Sequence, residues 1–223
     1  MKIQELDPSE RPREKALKQG LHTLSNRELL AVLLQSGTRQ KSVLELADEV
    51  LKYCGTLEKL MYMQPMDLMQ ISGIKQVRAM QLFAGIELAK RICTQEAEQR
   101  SVHCVQDLIH WLQLCYGYEL QEHFVVIYLN QQNVILRHQR LFLGTLNSST
   151  AHPREIFKEA MHCSAASIIC VHNHPGGNAK PSLADQTLTK HIQKSGEIVG
   201  IPLLDHLIIC KHAWFSFRES GLL

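Results

Sequence analysis

Apolar positions recur along this chain with two different periods, and the change of period divides the sequence. In the first half they return every three to four residues, as on one face of a helix; in the second half such stretches alternate with short, unbroken apolar runs of the kind that form buried strands. Ser25-Asn26-Arg27-Glu28 is a capping box, in which the serine hydroxyl and the glutamate carboxylate satisfy the first free amides of a helix. Leu29, Leu30, Val32, Leu33 and Leu34 behind it supply a wide apolar face. Residues 43–53 form a second amphipathic helix closed by Cys54-Gly55. Residues 57–69 read as one or two short helices interrupted at Pro65, and 77–91 as a longer one. Residues 1–20, with Pro8 and Pro12 among charges, read as a solvated arm. The polar run from Thr94 to Ser101 lacks an apolar stripe and marks a boundary between an all-α domain, 1–100, and a second domain, 101–223.

The second domain alternates its elements. A helix over 105–116 precedes a buried strand over 124–129, a turn at Asn130-Gln131-Gln132-Asn133 and a strand over 134–142. Pro153 suits the first turn of a helix over 153–162. Strand 167–171, helix 182–194 and strands 201–210 and 213–217 complete the chain. Mixed strands with helices on their faces give an α/β sandwich.

Composition narrows the function classes. The 223 residues carry a net charge of +2, which argues against a general polyanion binder; any nucleic-acid contact then needs a local patch. Neither a secretory signal nor an apolar run long enough to span a membrane is present. Seven cysteines, an odd number with no C-x-x-C pair, read as reduced, buried thiols of a cytoplasmic protein. Eleven of the twelve histidines follow residue 100, a skew that fits a metal domain in the second half.

The chemistry concentrates between Ser167 and Asp185. The apolar run there ends in His172-Asn173-His174, and side chains two apart on a strand share a face, so both imidazoles reach one point beyond the strand's end. Pro175-Gly176-Gly177-Asn178 turns the chain, and Ser182, three residues before Asp185, starts a helix. Two neutral imidazoles and one carboxylate meeting in a cleft make a three-ligand zinc (Zn2+) site with an open position, as hydrolases use. Cys170 reads as a buried thiol, His152 and His191 as surface residues, and His206 as a residue behind the ligands or on the substrate side.

The spacing His-x-His, seven residues, Ser, two residues, Asp resembles the JAMM (JAB/MPN) metalloprotease signature. Together with His152-Pro153-Arg154-Glu155-Ile156, Leu204-Asp205-His206, Arg11-Pro12-Arg13-Glu14 and Gly37-Thr38, it looks like the RadC family (UPF0758-type) of bacterial proteins across nearly the whole chain. That resemblance implies a C-terminal JAMM/cytidine-deaminase-like α/β sandwich with a mixed sheet, preceded by a small all-α helix-hairpin-helix-like domain. It implies a general base at Glu122, with Glu119 one helical turn earlier as the competing candidate. It also gives Ser182 as the residue whose hydroxyl binds the developing oxyanion, against a plain N-cap role. A zinc-dependent peptidase or isopeptidase acting on a peptide or protein substrate is the first reading. A non-catalytic DNA-associated protein and a metal-dependent nuclease are the alternatives. A nucleoside deaminase is excluded by the absence of H-x-E and P-C-x-x-C.

The DNA reading draws on residues 68–91. Ile71-Ser72-Gly73-Ile74-Lys75 before a helix looks like a helix-hairpin-helix, which presents backbone amides to a phosphate. The usual second glycine is Lys75 here. The segment is either a weak phosphate contact or a helical packing motif.

Overall fold

The computed structural model describes residues 6–61, 63–98, 101–143 and 152–223. They form two compact units, 1–89 and 90–223.

In the first unit the residues expected to be a solvated arm form helix α1 (Pro12–Gln19), with Lys15 2.9 Å from Glu28. Helices α2 (Asn26–Leu34) and α3 (Val43–Cys54) both begin on complete capping boxes, at Ser25 and Ser42. Their apolar faces meet through Leu30, Leu34, Leu46, Ala47 and Val50. The stretch expected to be broken at Pro65 forms two short helices, a 3-10 turn over Leu57–Met61 and α4 (Pro65–Leu68). Pro65 opens α4 because a proline at the first helical position gives up an amide that has no partner there anyway. Gly73 follows with φ +102°, and a Cβ there would stand 2.7 Å from Thr38 Cγ2 and 2.8 Å from Leu46 Cδ1, so the hairpin needs this glycine for packing.

Helix α5 (Gln76–Glu98) runs through the stretch expected to be a linker, and the division between units falls inside it, before Lys90. The reason is side-chain contact that a polar composition hides. Thr94 Oγ1 accepts the Trp111 indole N–H at 2.9 Å, and Cys93 and Ala97 pack on the second unit's core.

The second unit is a five-stranded mixed sheet in the order β2-β1-β3-β4-β5. Its elements in chain order are α6 (Gln106–Tyr116), β1 (His123–Leu129), β2 (Ile135–Leu143), α7 (Pro153–His162), β3 (Ser167–Asn173), α8 (Leu183–Val199), β4 (Leu203–Ile209) and β5 (Trp214–Ser216). Strand β1 pairs antiparallel with β2 and β3, β3 runs parallel to β4, and β5 is antiparallel to β4. Alternation sorts the side chains into two layers. Val125, Ile127, Leu129, Ile169 and Val171 pack against α6 through Leu108, Trp111 and Leu112. Phe124, Val126, Tyr128, Ile168 and Cys170 pack against Ile156 and Phe157 of α7 and Leu188 and Ile192 of α8. The result is the expected α/β sandwich, with helices on both faces of the sheet. Among the described residues no helix is long and apolar enough to cross a membrane.

Candidate metal centre

Strand β3 runs two residues further than its apolar run, so His172 and Asn173 are strand residues and His174 begins the loop. His172, facing α7 and α8 with Phe124 and Cys170, is wholly buried. The His174 N–H donates to the Ile209 carbonyl at 3.0 Å, and Gly177 N–H closes a turn on the His174 carbonyl. Gly177 has φ +79°, which lets the chain reverse there. The loop then delivers helix α8. Ser182 caps it, and Asp185 in the first turn is only 3% exposed.

These elements bring together the three residues that the sequence pairs. His172 Nε2 lies 3.0 Å from His174 Nε2 and 3.3 Å from Asp185 Oδ1, and His174 Nε2 is 3.6 Å from Asp185 Oδ2. The group could hold a metal ion.

The hydrogen bonds behind the cluster fix where its protons sit. The Thr189 hydroxyl, one turn along α8, donates to the Asp185 carbonyl at 2.6 Å. Its oxygen must therefore accept from His206 Nδ1, 2.6 Å away. His206 is then protonated on Nδ1, and its Nε2 accepts from His172 Nδ1 at 2.9 Å. That leaves His172 Nε2 bare. His174 Nδ1 is 2.7 Å from the Asn178 carbonyl, which can only accept, so His174 Nε2 is bare as well. Two ring lone pairs and a carboxylate thus converge with no proton between them, an arrangement that is repulsive until positive charge enters it.

The protonation tendencies agree. Burial pushes His172 down and His206 well down, so both stay neutral. His174 is raised, first by its hydrogen-bonding contact with Asp185. Burial alone would raise the Asp185 carboxyl, but its contacts with His172 and His174 outweigh this and hold it well below the usual carboxylate range.

The Ser182 hydroxyl is committed elsewhere than the sequence resemblance suggests. It donates to Asp185 Oδ2 at 2.7 Å and accepts from the Asp185 N–H at 3.2 Å, and the Ser182 N–H also donates to Oδ2. As placed, it caps α8 and clamps the carboxylate, with its proton turned away from any oxyanion. The capping box supplies the reason, since Asp185 occupies the position whose side chain returns to the cap.

Glu122 immediately precedes β1 and is half-buried. Continuing the β1–β3 register two positions past Phe124↔His172 sets it opposite His174, on the same face. Its charge raises the pKa of both imidazoles. Glu119 lies on the other side of the sheet: its carboxylate is 3.7 Å from Nε2 of His123, which packs toward Tyr116 of α6.

Two contributors were not singled out in the sequence. Thr189 anchors the tautomer chain, and Asn173 binds the entrance to β1. The signal for each was a polar residue at a buried position, one on a strand and one on the inner face of a helix, where a partner is obligatory. His206 does stand behind the ligands. His152 and His191 are exposed, and Cys170 is a buried thiol whose pKa burial pushes up. A cleft of about 1070 Å³ between α7 and α8 opens at Leu183 and Ala184, between Ser182 and Asp185 in sequence.

Comparison with known proteins matches the chain to a family. The model of the RadC-like JAB domain matches residues 102–222, and that of the UPF0758 N-terminal region matches 3–80. The chain belongs to the RadC family. A UPF0758 protein of Bacillus licheniformis is 43% identical over 224 residues, spanning 100% of both chains. UPF0758 proteins of Bacillus cereus and Bacillus anthracis are 43% identical over 220 residues, 98% of each chain. In this RadC-family chain the cluster lies wholly within the JAB-like region.

The hairpin of the RadC-family N-terminal region spends its arginine internally. The Arg78 guanidinium donates to the backbone carbonyls of Gly73, of Ser36 at 2.9 Å and of Gly37 at 2.8 Å. Lys75 is exposed.

Proposed function

We propose that this protein is a zinc-dependent amide hydrolase of the peptidase or isopeptidase type. The observation that carries the reading is the convergence of two imidazole nitrogens and a carboxylate at the carboxyl end of β3. His172, His174 and Asp185 would hold the ion. Nitrogen and oxygen donors of this kind suit zinc. Once bound, zinc would supply Lewis acidity and lower the pKa of water to about 7.

The remaining chemistry falls to the chain. Glu122 takes a proton from the attacking water and returns it to the leaving nitrogen, a role that needs a carboxylate within hydrogen-bond reach of that water. His206 and Thr189 hold His172 in the tautomer that presents Nε2. Ser182 fixes the orientation of Asp185; acting as an oxyanion donor would require its hydroxyl to leave Oδ2.

The DNA-associated reading is weaker because Arg78, the hairpin's partly buried cation, is already bound to carbonyls. It also assigns no use to a buried cluster of acceptors.

The test is metal analysis of the purified protein with an unbiased peptide and nucleic-acid cleavage screen, on wild type and Glu122→Gln. Zinc should bind one per chain in both. Hydrolysis of any peptide substrate should fall by about 10²–10⁴ in Glu122→Gln. Glu119→Gln should remain active. A cleavage activity that depends on Glu119 and ignores Glu122 overturns the assignment of the base.

A further inference from the structure

We infer that Asn173 is a positioning residue for Glu122: its carboxamide grips the backbone on both sides of that glutamate and so sets where the carboxylate stands relative to the His172–His174–Asp185 cluster. The inference rests on the metal-centre reading above and deepens it.

Asn173 is the last residue of β3 and is 1% exposed. Being one residue along from each histidine, it cannot share their face. Its side chain turns instead to the segment entering β1. Oδ1 accepts the His123 N–H at 2.7 Å, and Nδ2 donates to the Gln121 carbonyl at 3.0 Å, with a longer approach of 3.5 Å to the Glu119 carbonyl. On the β2 side of β1 the backbone register ends at His123↔Leu143, and on the β3 side it runs out at Phe124↔His172, two residues short of the glutamate. Beyond that point the carboxamide replaces the ladder.

The chemistry of the grip is specific to asparagine. One neutral planar group must accept from an N–H and donate to a carbonyl on either side of Glu122. Aspartate would keep the first bond and face the Gln121 carbonyl with an acceptor. A chain end paired on one side only, as this one would be without the carboxamide, opens at lower free-energy cost than one paired on both. A carboxylate carried on such an end would spread over many positions, whereas a base works only within hydrogen-bond reach of its proton.

The test is a double-mutant cycle read on the cobalt-substituted protein, with the pH midpoint of its visible absorption band as the readout. Glu122→Gln removes a negative charge beside the centre and should lower that midpoint. Asn173→Ala should lower it part of the way, although it removes no charge. The double variant should match Glu122→Gln alone, because the asparagine acts only through the glutamate. A midpoint that Asn173→Ala leaves at the wild-type value, or shifts that add in the double variant, overturns the inference in favour of simple sheet closure. Wild-type protein that takes up neither cobalt nor zinc would instead overturn the metal-centre reading. The grip is then judged by hydrogen exchange, where Asn173→Ala should speed exchange of the His123 amide at least tenfold and Glu122→Gln should not. Unchanged exchange there overturns it too. If Asn173→Ala does not fold, Asn173→Ser carries the same measurements, being neutral, polar and too short to bridge the His123 N–H and the Gln121 carbonyl.

Discussion

Replacing His206 by phenylalanine tests whether the proton positions behind the cluster govern metal affinity. The ring is fully buried, stacks on Phe217 at 5.0 Å and meets Phe124 edge-on at 5.7 Å, so a phenyl group fits the same aromatic slot. What disappears is the acceptor for His172 Nδ1–H and the donor to Thr189. His172 is then left with two options. It keeps the proton on Nδ1, buried and unpaired, at a cost of about 1–3 kcal/mol. Or it moves the proton to Nε2, where Asp185 Oδ1 at 3.3 Å receives it and the metal position is blocked. Either way the metal must overcome a penalty absent from the wild type, which corresponds to a loss in affinity of about 10–100-fold. Competition for zinc against a chromophoric chelator at fixed pH measures it. Thr189→Val removes only the far end of the chain and should weaken binding less than His206→Phe. A His206→Phe protein that melts cooperatively and still holds zinc as tightly as wild type would refute the tautomer argument, as would Thr189→Val proving the more damaging of the two.

Ser182→Ala should lower stability by about 0.5–2 kcal/mol through loss of the cap, seen as a lower Tm of the metal-free protein, and should weaken zinc binding because Oδ2 loses a donor. Zinc affinity should fall as pH drops. The raised pKa of His174 means that a proton competes with the metal from somewhat above the ordinary imidazole range, with affinity level above that pKa and falling about tenfold per pH unit below it. Calorimetry in buffers of different ionisation enthalpy, which counts released protons, checks this. The full chain should bind duplex DNA weakly, with affinity fading steeply between two salt concentrations and further reduced in Lys75→Ala; tight, salt-insensitive binding would show the hairpin reading to be wrong.

The fold was legible where local rules and tertiary packing agree. The capping box at Ser25 and the apolar strand runs appear where their patterns place them. Helix α5 was cut short because Thr94 looks polar in sequence, while its contact with Trp111 comes from a residue 17 positions away. The metal cluster could be read because all three of its residues lie on one short strand–loop–helix unit, where periodicity dictates direction. Glu122 was reachable only through family resemblance, since no periodicity links residues across a strand pairing. Asn173 was invisible for the opposite reason: it sits between two histidines yet serves the other side of the strand. Ser182 showed both of its candidate roles in the sequence, and only the position of its hydroxyl proton separates them.

The β3–loop–α8 unit holds all three residues of the cluster, while Glu122 comes from a segment that pairs with β3 from 50 residues upstream. Closing a short loop among the ligands costs little chain entropy, and closing the long one costs more. During synthesis and folding, a chain in which β3 and α8 have formed can therefore chelate an ion before β1 has docked. Under the function proposed above, such a half-built protein would carry metal without Glu122 in place and would be inert until β1 had paired with β3. On the proposed reading, order of assembly would act as a safety catch for a hydrolase whose base arrives last.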